Sequence, residues 1–91
     1  MRYSISFDPK VLKTMGKWKK SNPLVFKKLT NILQDITQHP RTGIGHPEPL
    51  KGGNDVTYSR RLTAHDRVIY DVYDDTVCVM IIEVEGHYDD K

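Results

Sequence analysis

Residues 24–39 read LVFKKLTNILQDITQH, and this stretch decides the fold. Its apolar side chains recur at helical spacing, at Val25, Leu29, Ile32, Leu33 and Ile36. The other side of the same helix is polar and consists of Lys27, Lys28, Asn31, Gln34, Asp35 and Gln38. An apolar stripe opposite a polar face is typical of an amphipathic helix that covers a core. The pattern therefore predicts a helix over 24–39.

A second amphipathic helix precedes it, over residues 9–21. Asp8 is a candidate N-cap, and Pro9 suits the first helical position. One face carries Val11, Leu12, Met15 and Trp18, and the opposite face carries a stripe of lysines at Lys10, Lys13, Lys17 and Lys20. Ser21-Asn22-Pro23 breaks the chain between the two helices. We therefore expect a helical hairpin.

Strand patterns lie on both sides of the hairpin. Residues 3–7 alternate apolar and polar side chains, and further strands are predicted at 56–63, 67–73 and 76–85, with a tight turn at Asp74-Asp75. Residues 39–54 are rich in Pro and Gly and are predicted to be loop. The order β-α-α-β-β-β predicts an α+β fold, in which an N-terminal strand and a helical hairpin precede an antiparallel sheet. We expect one domain over 1–91, in which the helical hairpin packs on one face of the sheet and the other face is open to a ligand.

Composition excludes several classes of protein. The 91 residues are 37% hydrophobic and 29% charged, which is typical of a soluble globular chain. No apolar run approaches the ~20 residues of a membrane-spanning helix, and residues 1–8 do not resemble a secretory signal. Cys78 is the single cysteine, so internal disulfides and a Cys-based zinc cluster are excluded. These features predict a cytoplasmic protein without a membrane partner.

The formal net charge of +2 is the average of two unlike halves. Residues 1–51 carry ten Lys and Arg against three acids, a net charge of +7. Residues 52–91 carry four against nine, a net charge of −5. A basic surface for a polyanion and an ordinary solvated helix face both fit this asymmetry.

Three ionisable residues suit the cleavage of RNA. Glu48 is presented from a loop stiffened by a proline on each side, Arg67 opens a strand, and His87 follows the last strand. The reaction needs a base for the ribose 2′-OH, an acid for the departing 5′-oxygen, and cations around the phosphate. Glu, His and Arg fill these roles without a metal. Arg60 and Arg61 are neighbours on one strand and point to opposite faces, so only one of them can share a surface with Arg67.

Other chemistry is disfavoured. His46, His65 and His87 lack the spacing of a metal site on a helix. No Gly-x-Ser-x-Gly motif is present, Cys78 lies within an apolar strand, and Gly52-Gly53 leads into a strand rather than a phosphate-binding helix. We therefore expect no cofactor.

Four ordered segments carry a resemblance to a known family. They are Gly45–Lys51, Tyr58–Thr63, His65–Tyr70 and the closing Gly86-His87-Tyr88. Together with the N-terminal strand and the helical hairpin, including Trp18, they resemble the Txe/YoeB toxins of toxin–antitoxin systems. These toxins belong to the RelE-like group, which has a microbial-ribonuclease fold. The resemblance extends over nearly the whole chain.

The resemblance implies a ribosome-dependent endoribonuclease that cuts mRNA in the A site and is neutralised by a cognate antitoxin. It implies Glu48 as the general base, Arg67 as the phosphate-stabilising cation and His87 as the general acid. It further implies that Lys51, Arg61 and Tyr88 contact the substrate, and that the protein forms a homodimer.

Two features depart from the family pattern, and two other functions stay open. Glu85 and the tail Asp89-Asp90-Lys91 bring negative charge close to the expected RNA site. One alternative is a non-catalytic module that binds RNA or the ribosome through the lysine stripe. The other is a module of the same fold that binds an antitoxin and has lost nuclease activity.

Overall fold

Two helices follow the first strand, as the sequence predicts. The structure is a computed structural model, and it describes residues 2–50 and 56–84. Helix α1 spans Pro9–Ser21 and helix α2 spans Pro23–Gln38. The Asp8 carboxylate accepts a hydrogen bond of 3.0 Å from the Lys10 N–H, which confirms the predicted N-cap. The helical hairpin is confirmed, with Asn22 as its connection.

The apolar stripes of both helices reach the core, with one exception. Helix α2 buries Leu29, Ile32, Leu33 and Ile36, and helix α1 buries Val11 and Trp18. Leu12, which the pattern puts on the buried face of α1, is 53% exposed. Leu12 is turned about 100° around the helix from the buried Val11, which puts it at the edge of the buried face. The lysines of the opposite face, Lys10, Lys13, Lys17 and Lys20, are exposed as predicted.

In the part of the chain that the structure describes, five strands form one mixed sheet. They are β1 (Ser4–Phe7), β2 (Glu48–Pro49), β3 (Thr57–Arg61), β4 (Arg67–Tyr73) and β5 (Cys78–Glu83), in the spatial order β1-β5-β4-β3-β2. The antiparallel arrangement predicted for the last three strands is confirmed. The first strand pairs with β5 in parallel, which makes the sheet mixed and puts the apolar β5 in its interior. Strand β2 lies within the predicted loop, and two residues are too few to show a period in the sequence.

The turn between β4 and β5 is longer than the sequence suggests. It takes in residues 74–77, and Val77 has a φ of 53°. The Val77 N–H donates to the Asp74 carbonyl over 3.2 Å. Asp74-Asp75 is therefore the first half of a four-residue turn.

The sheet has two chemically different faces. One face packs against the helices and contributes the buried residues Tyr58, Val68, Tyr70, Val72, Val79 and Ile81 to the core. Directly opposite residues of antiparallel strands lie on the same face, and successive residues alternate. Ser59, Arg61, Arg67 and Ile69 therefore belong to the second face, which carries the candidate site. None of the helices in the described ranges is long and apolar enough to cross a membrane.

Candidate functional site

Glu48 lies on the edge strand β2, where the sequence predicted a stiffened loop. It pairs with Ser59 of β3, and Pro49 pairs with Tyr58. The Leu50 N–H donates to the Thr57 carbonyl over 2.9 Å, which continues this pairing. The Glu48 side chain is exposed. An exposed carboxylate on a short, anchored edge strand can accept a proton from a ligand at this edge of the sheet. Farther in on the same face, Ser59 and Ile69 are buried, at 3% and 6% exposure, so the face is not open there, contrary to the prediction from the sequence.

Two arginines lie on the same face of the sheet as this carboxylate. Arg61 of β3 is directly opposite Arg67 of β4, and Ser59, the partner of Glu48, is directly opposite Ile69. Glu48 and Arg67 are thus two strands apart, roughly 10 Å, and two residues apart along the strand, roughly 7 Å. Long side chains can span this distance around a phosphate. The register therefore unites Glu48, Arg61 and Arg67, which are three of the residues selected from the sequence.

The remaining three residues selected from the sequence are not described. Lys51, His87 and Tyr88 lie outside residues 2–50 and 56–84. Their predicted roles stay predictions. Glu85 and the Asp89-Asp90-Lys91 tail also lie outside the described residues.

Arg60 lies on the other face of β3 from Arg61, as the alternation predicted. Its side chain is fully buried beneath α2 and the segment that follows it. All five donors of the guanidinium are directed at protein acceptors. The acceptors are the Tyr70 hydroxyl (3.0 Å), Asp35 Oδ2 (2.6 Å) and the carbonyls of Ile44 (3.0 Å), Thr42 (2.7 Å) and His39. Arg60 therefore does not lie on the surface that carries Arg67, whereas its neighbour Arg61 does.

Asp35 is the anionic partner of Arg60. Its carboxylate also accepts a hydrogen bond of 3.2 Å from the Ile44 N–H. Burial raises the pKa of Asp35, but the hydrogen bonds from Arg60 and Ile44 outweigh it, so the pKa lies below its ordinary value. Burial also raises the pKa of the Tyr70 hydroxyl, although its bond with Arg60 opposes the change. Both groups therefore keep their ordinary neutral-pH forms, carboxylate and phenol.

The Arg60–Asp35–Tyr70 cluster was missed in the sequence. Asp35 belongs to the polar face of α2 in the sequence pattern, and residue chemistry alone does not distinguish Arg60 from Arg61 or from Arg67. The sequence contains one indication of this cluster. Tyr58, Arg60 and Leu62 alternate with polar residues, so the charged Arg60 occupies a position on the apolar side of the strand. A charged residue in such a row requires a buried partner. The sequence alone does not identify that partner, because Asp35 is 25 residues away.

A cleft adjoins the arginine side of the site. It has a volume of about 530 Å³ and lies between α2, the segment at 44–46 and the turn after β3. Lys28, His46 and Arg61 contribute basic side chains to its lining, and Ile44 and Leu62 contribute apolar ones. Lys28 and Arg61 therefore bring two cationic residues to this cleft.

The described residues contain no group of three or more His, Cys, Asp and Glu side chains that could hold a metal ion. His46 lies in the 44–46 segment and His65 lies in the turn after β3. His87, the third histidine considered from the sequence, is outside the described residues.

Comparisons with known proteins give the same family as the sequence motifs. Residues 7–88 match the family described as "YoeB-like toxin of bacterial type II toxin-antitoxin system". The chain is 36% identical to Toxin YoeB of Escherichia coli O6:H1 (strain CFT073) over 71 residues, covering 78% of this chain and 82% of the relative.

Solved structures of similar proteins agree with this result. The YoeB dimer from Staphylococcus aureus has a TM-score of 0.82 at 29% identity, covering 97% of this chain and 100% of the other. The YoeB–YefM complex from the same organism gives a TM-score of 0.80 at 30% identity with the same coverage. The family match spans most of the chain and agrees with the fold and the ordered motifs. The protein therefore belongs to the YoeB-like toxins of bacterial type II toxin–antitoxin systems.

Proposed function

We propose that this toxin is a metal-independent endoribonuclease that cuts mRNA in the ribosomal A site. The proposal is carried by one observation, the strand register that unites Glu48, Arg61 and Arg67 on one sheet face. A carboxylate on the same sheet face as two guanidinium groups suits a reaction that removes a proton and builds negative charge on a phosphate. The general acid of this reaction, His87, is supplied by the resemblance to the toxin family.

In the proposed mechanism, Glu48 takes the proton of the ribose 2′-OH. The 2′-oxygen forms a bond to phosphorus while the bond from phosphorus to the 5′-oxygen breaks. Arg67 stabilises the charge on the phosphate oxygens, and His87 donates a proton to the departing 5′-oxygen. The products are a 2′,3′-cyclic phosphate and a 5′-hydroxyl. Lys51, Arg61 and Tyr88 hold the RNA.

The test is to map mRNA ends on translating ribosomes with purified protein. We expect Glu48→Gln to lower the cleavage rate by about 10²–10⁴-fold, which is the usual contribution of a general base. A matched control is Lys19→Gln, which changes an exposed residue of α1. An mRNA with a 2′-deoxyribose at the cut site should stay intact, because it lacks the attacking hydroxyl. Full cleavage by a Glu48→Ala, His87→Ala double variant would contradict the proposal.

We further propose that residues 1–91 form one toxin domain that acts in the cytoplasm, forms a homodimer and is neutralised by a cognate antitoxin. Support comes from the S. aureus relatives, one described as a YoeB dimer and one as a YoeB–YefM complex. Light scattering of the purified chain, alone and with its co-expressed antitoxin, measures both assemblies. A monomer at micromolar concentration would contradict the dimer.

The alternatives predict different observations. A non-catalytic RNA-binding module would bind RNA with a steep dependence on salt and release no cut product. A module that only binds antitoxin would not arrest growth when expressed without that partner. Growth arrest together with new 5′-hydroxyl ends favours the nuclease over both.

A further inference from the structure

One guanidinium group bonds three carbonyls of the segment between α2 and β2. Arg60 donates to the carbonyls of His39, Thr42 and Ile44, which are spread along this segment. Tyr70 accepts from Arg60 Nε and donates to the Pro40 carbonyl over 2.8 Å. We use the name Arg60 clasp for the side chains of Arg60, Asp35 and Tyr70. The clasp bonds four carbonyls within residues 39–44.

The segment lies so close to the clasp that side chains are excluded at Gly43. A Cβ on Gly43 would come within 2.0 Å of Asp35 Oδ2, and the φ of this residue is +113°. Gly45 has a φ of +81°, and a Cβ there would be 3.1 Å from the Arg61 carbonyl oxygen. L-residues rarely adopt such angles. The backbone at both glycines is therefore shaped to fit β3 and the clasp.

Strand β3 holds the segment at two consecutive carbonyls. The Arg60 side chain donates to the Ile44 carbonyl, and the Arg61 N–H donates to the Gly45 carbonyl over 2.7 Å. The next residue, His46, has a φ of 53°, and Glu48 follows two residues later. The contacts with β3 therefore fix the backbone of the residues that lead directly into β2 and Glu48.

A buried charge is a costly way to stabilise a fold, because well-packed apolar residues often do as well or better. Here the charge does what an apolar side chain cannot, since it bonds carbonyls of a segment that has no regular structure. The guanidinium group has five donors in fixed geometry and therefore favours one arrangement of that segment. The arrangement that it selects is the one that brings Glu48 beside Ser59.

We propose that Arg60 is a positioning residue, which acts through the 39–44 segment to fix Glu48 relative to Arg67. This inference rests on the proposed nuclease function for its catalytic consequence. Its structural part, that the clasp holds β2 in register, is independent of that function. Displacement of a reacting group by about 1 Å can cost about 10²-fold in rate.

The main test variant is Tyr70→Phe, which removes only the hydroxyl that joins Arg60 to Pro40. Its control is Val72→Ala on the same strand, which is also buried, at 2% exposure, and belongs to the core. Arg60→Lys is the second variant, because it keeps the charge but has three donors in place of five. Two readouts are needed: kcat and KM on ribosome-bound mRNA, and hydrogen exchange of the Ile44 and Leu50 amides.

We expect Tyr70→Phe to lower kcat by about tenfold or more with KM nearly unchanged, because the clasp does not touch the substrate face. Arg60→Lys should have a larger effect in the same direction. Both variants should speed exchange at Leu50, whose N–H bonds Thr57 next to Glu48. Val72→Ala should lower the melting temperature and leave kcat unchanged. Its Leu50 amide should lose only as much protection from exchange as the loss of global stability explains.

Equal effects of Tyr70→Phe and Val72→Ala on kcat would overturn the inference, because they would reflect stability alone. Unchanged exchange at Leu50 in both clasp variants would also overturn it, whatever the activity. A wild-type protein that cuts no mRNA would contradict the proposed function instead. In that case the exchange measurement still decides whether the clasp holds β2.

Discussion

At the scale of single residues, Asp35 has the clearest dependence on pH. Its pKa lies below its ordinary value of 3.8, since the hydrogen bonds from Arg60 and Ile44 outweigh the effect of burial. A carboxylate with a lowered pKa in the folded state contributes stability above its unfolded pKa. That contribution is lost as the pH falls below 3.8 and through the folded pKa.

We therefore expect Asp35→Asn to be less stable than wild type at pH 7, because it leaves the buried Arg60 without its anionic partner. Removal of one partner of a buried pair costs about 3–5 kcal/mol, and less is expected here because the Asp35 side chain is 22% exposed. The difference between the two proteins should shrink from pH 4 to pH 2. Urea unfolding across this range measures it.

Asp74 serves as an internal control for this experiment. Hydrogen bonds from Arg41 and Tyr3 lower its pKa, and it titrates in both proteins. Acid destabilisation should therefore persist in Asp35→Asn but be weaker. A constant difference in unfolding free energy down to pH 2 would contradict the assignment of this titration to Asp35.

At the scale of elements, α1 separates the core from a basic surface. Its Val11 and Trp18 are buried, whereas Lys13 and Lys20 are exposed on the opposite face. If this face contacts RNA, each lost phosphate contact should lower the slope of log K against log salt by about 0.7 for a single strand. We expect Lys13→Gln, Lys20→Gln to bind ribosome-free mRNA more weakly, with a shallower salt slope.

The matched control for the lysine variant is Lys13→Arg, Lys20→Arg, which keeps both charges. It should retain the wild-type slope, because the electrostatic contribution depends on charge rather than on side-chain shape. Fluorescence anisotropy at several salt concentrations gives the slopes. An unchanged slope in the Gln variant would indicate that this face of α1 is only a solvated surface.

At the scale of the whole molecule, β5 is the strand that joins the N-terminal strand β1 to the rest of the sheet. It pairs with β1 on one side and β4 on the other, and its buried Ile81 belongs to the core. Ile81→Ala should lower the unfolding free energy by about 2–5 kcal/mol. A chain of this size has about 5–14 kcal/mol in total. Leu24→Ala, at a residue 78% exposed, should change it by less than about 0.5 kcal/mol.

Chemical denaturation of both variants tests this prediction. The denaturant slope m should stay at its wild-type value, because the same surface is exposed on unfolding. Equal losses in Ile81→Ala and Leu24→Ala would contradict the role of β5 as a buried interior strand of the sheet.

Much of the fold and part of the site could be predicted from local pattern. The helices follow from a 3.6-residue period and from caps that act within a few residues, and strands β3 to β5 follow from alternation. Glu48 and Arg67 were selected by their chemistry and by the family motifs. The two-residue β2 and the parallel pairing of β1 with β5 were not predicted. Strand β2 is too short to show a period. The pairing of β1 with β5 joins strands at opposite ends of the chain, and hydrogen bonds between distant strands leave no period in the sequence.

The sequence by itself determined the α+β class, the helical hairpin, the basic stripe and the membership in a toxin family. Each of these depends on residue type and spacing along the chain. Only the tertiary structure decided which neighbouring arginine is a core residue and which faces the site. Arg60 and Arg61 are equivalent as charges, and alternation says only that they point apart. The faces become different once the helices cover one of them and Asp35 meets Arg60 there.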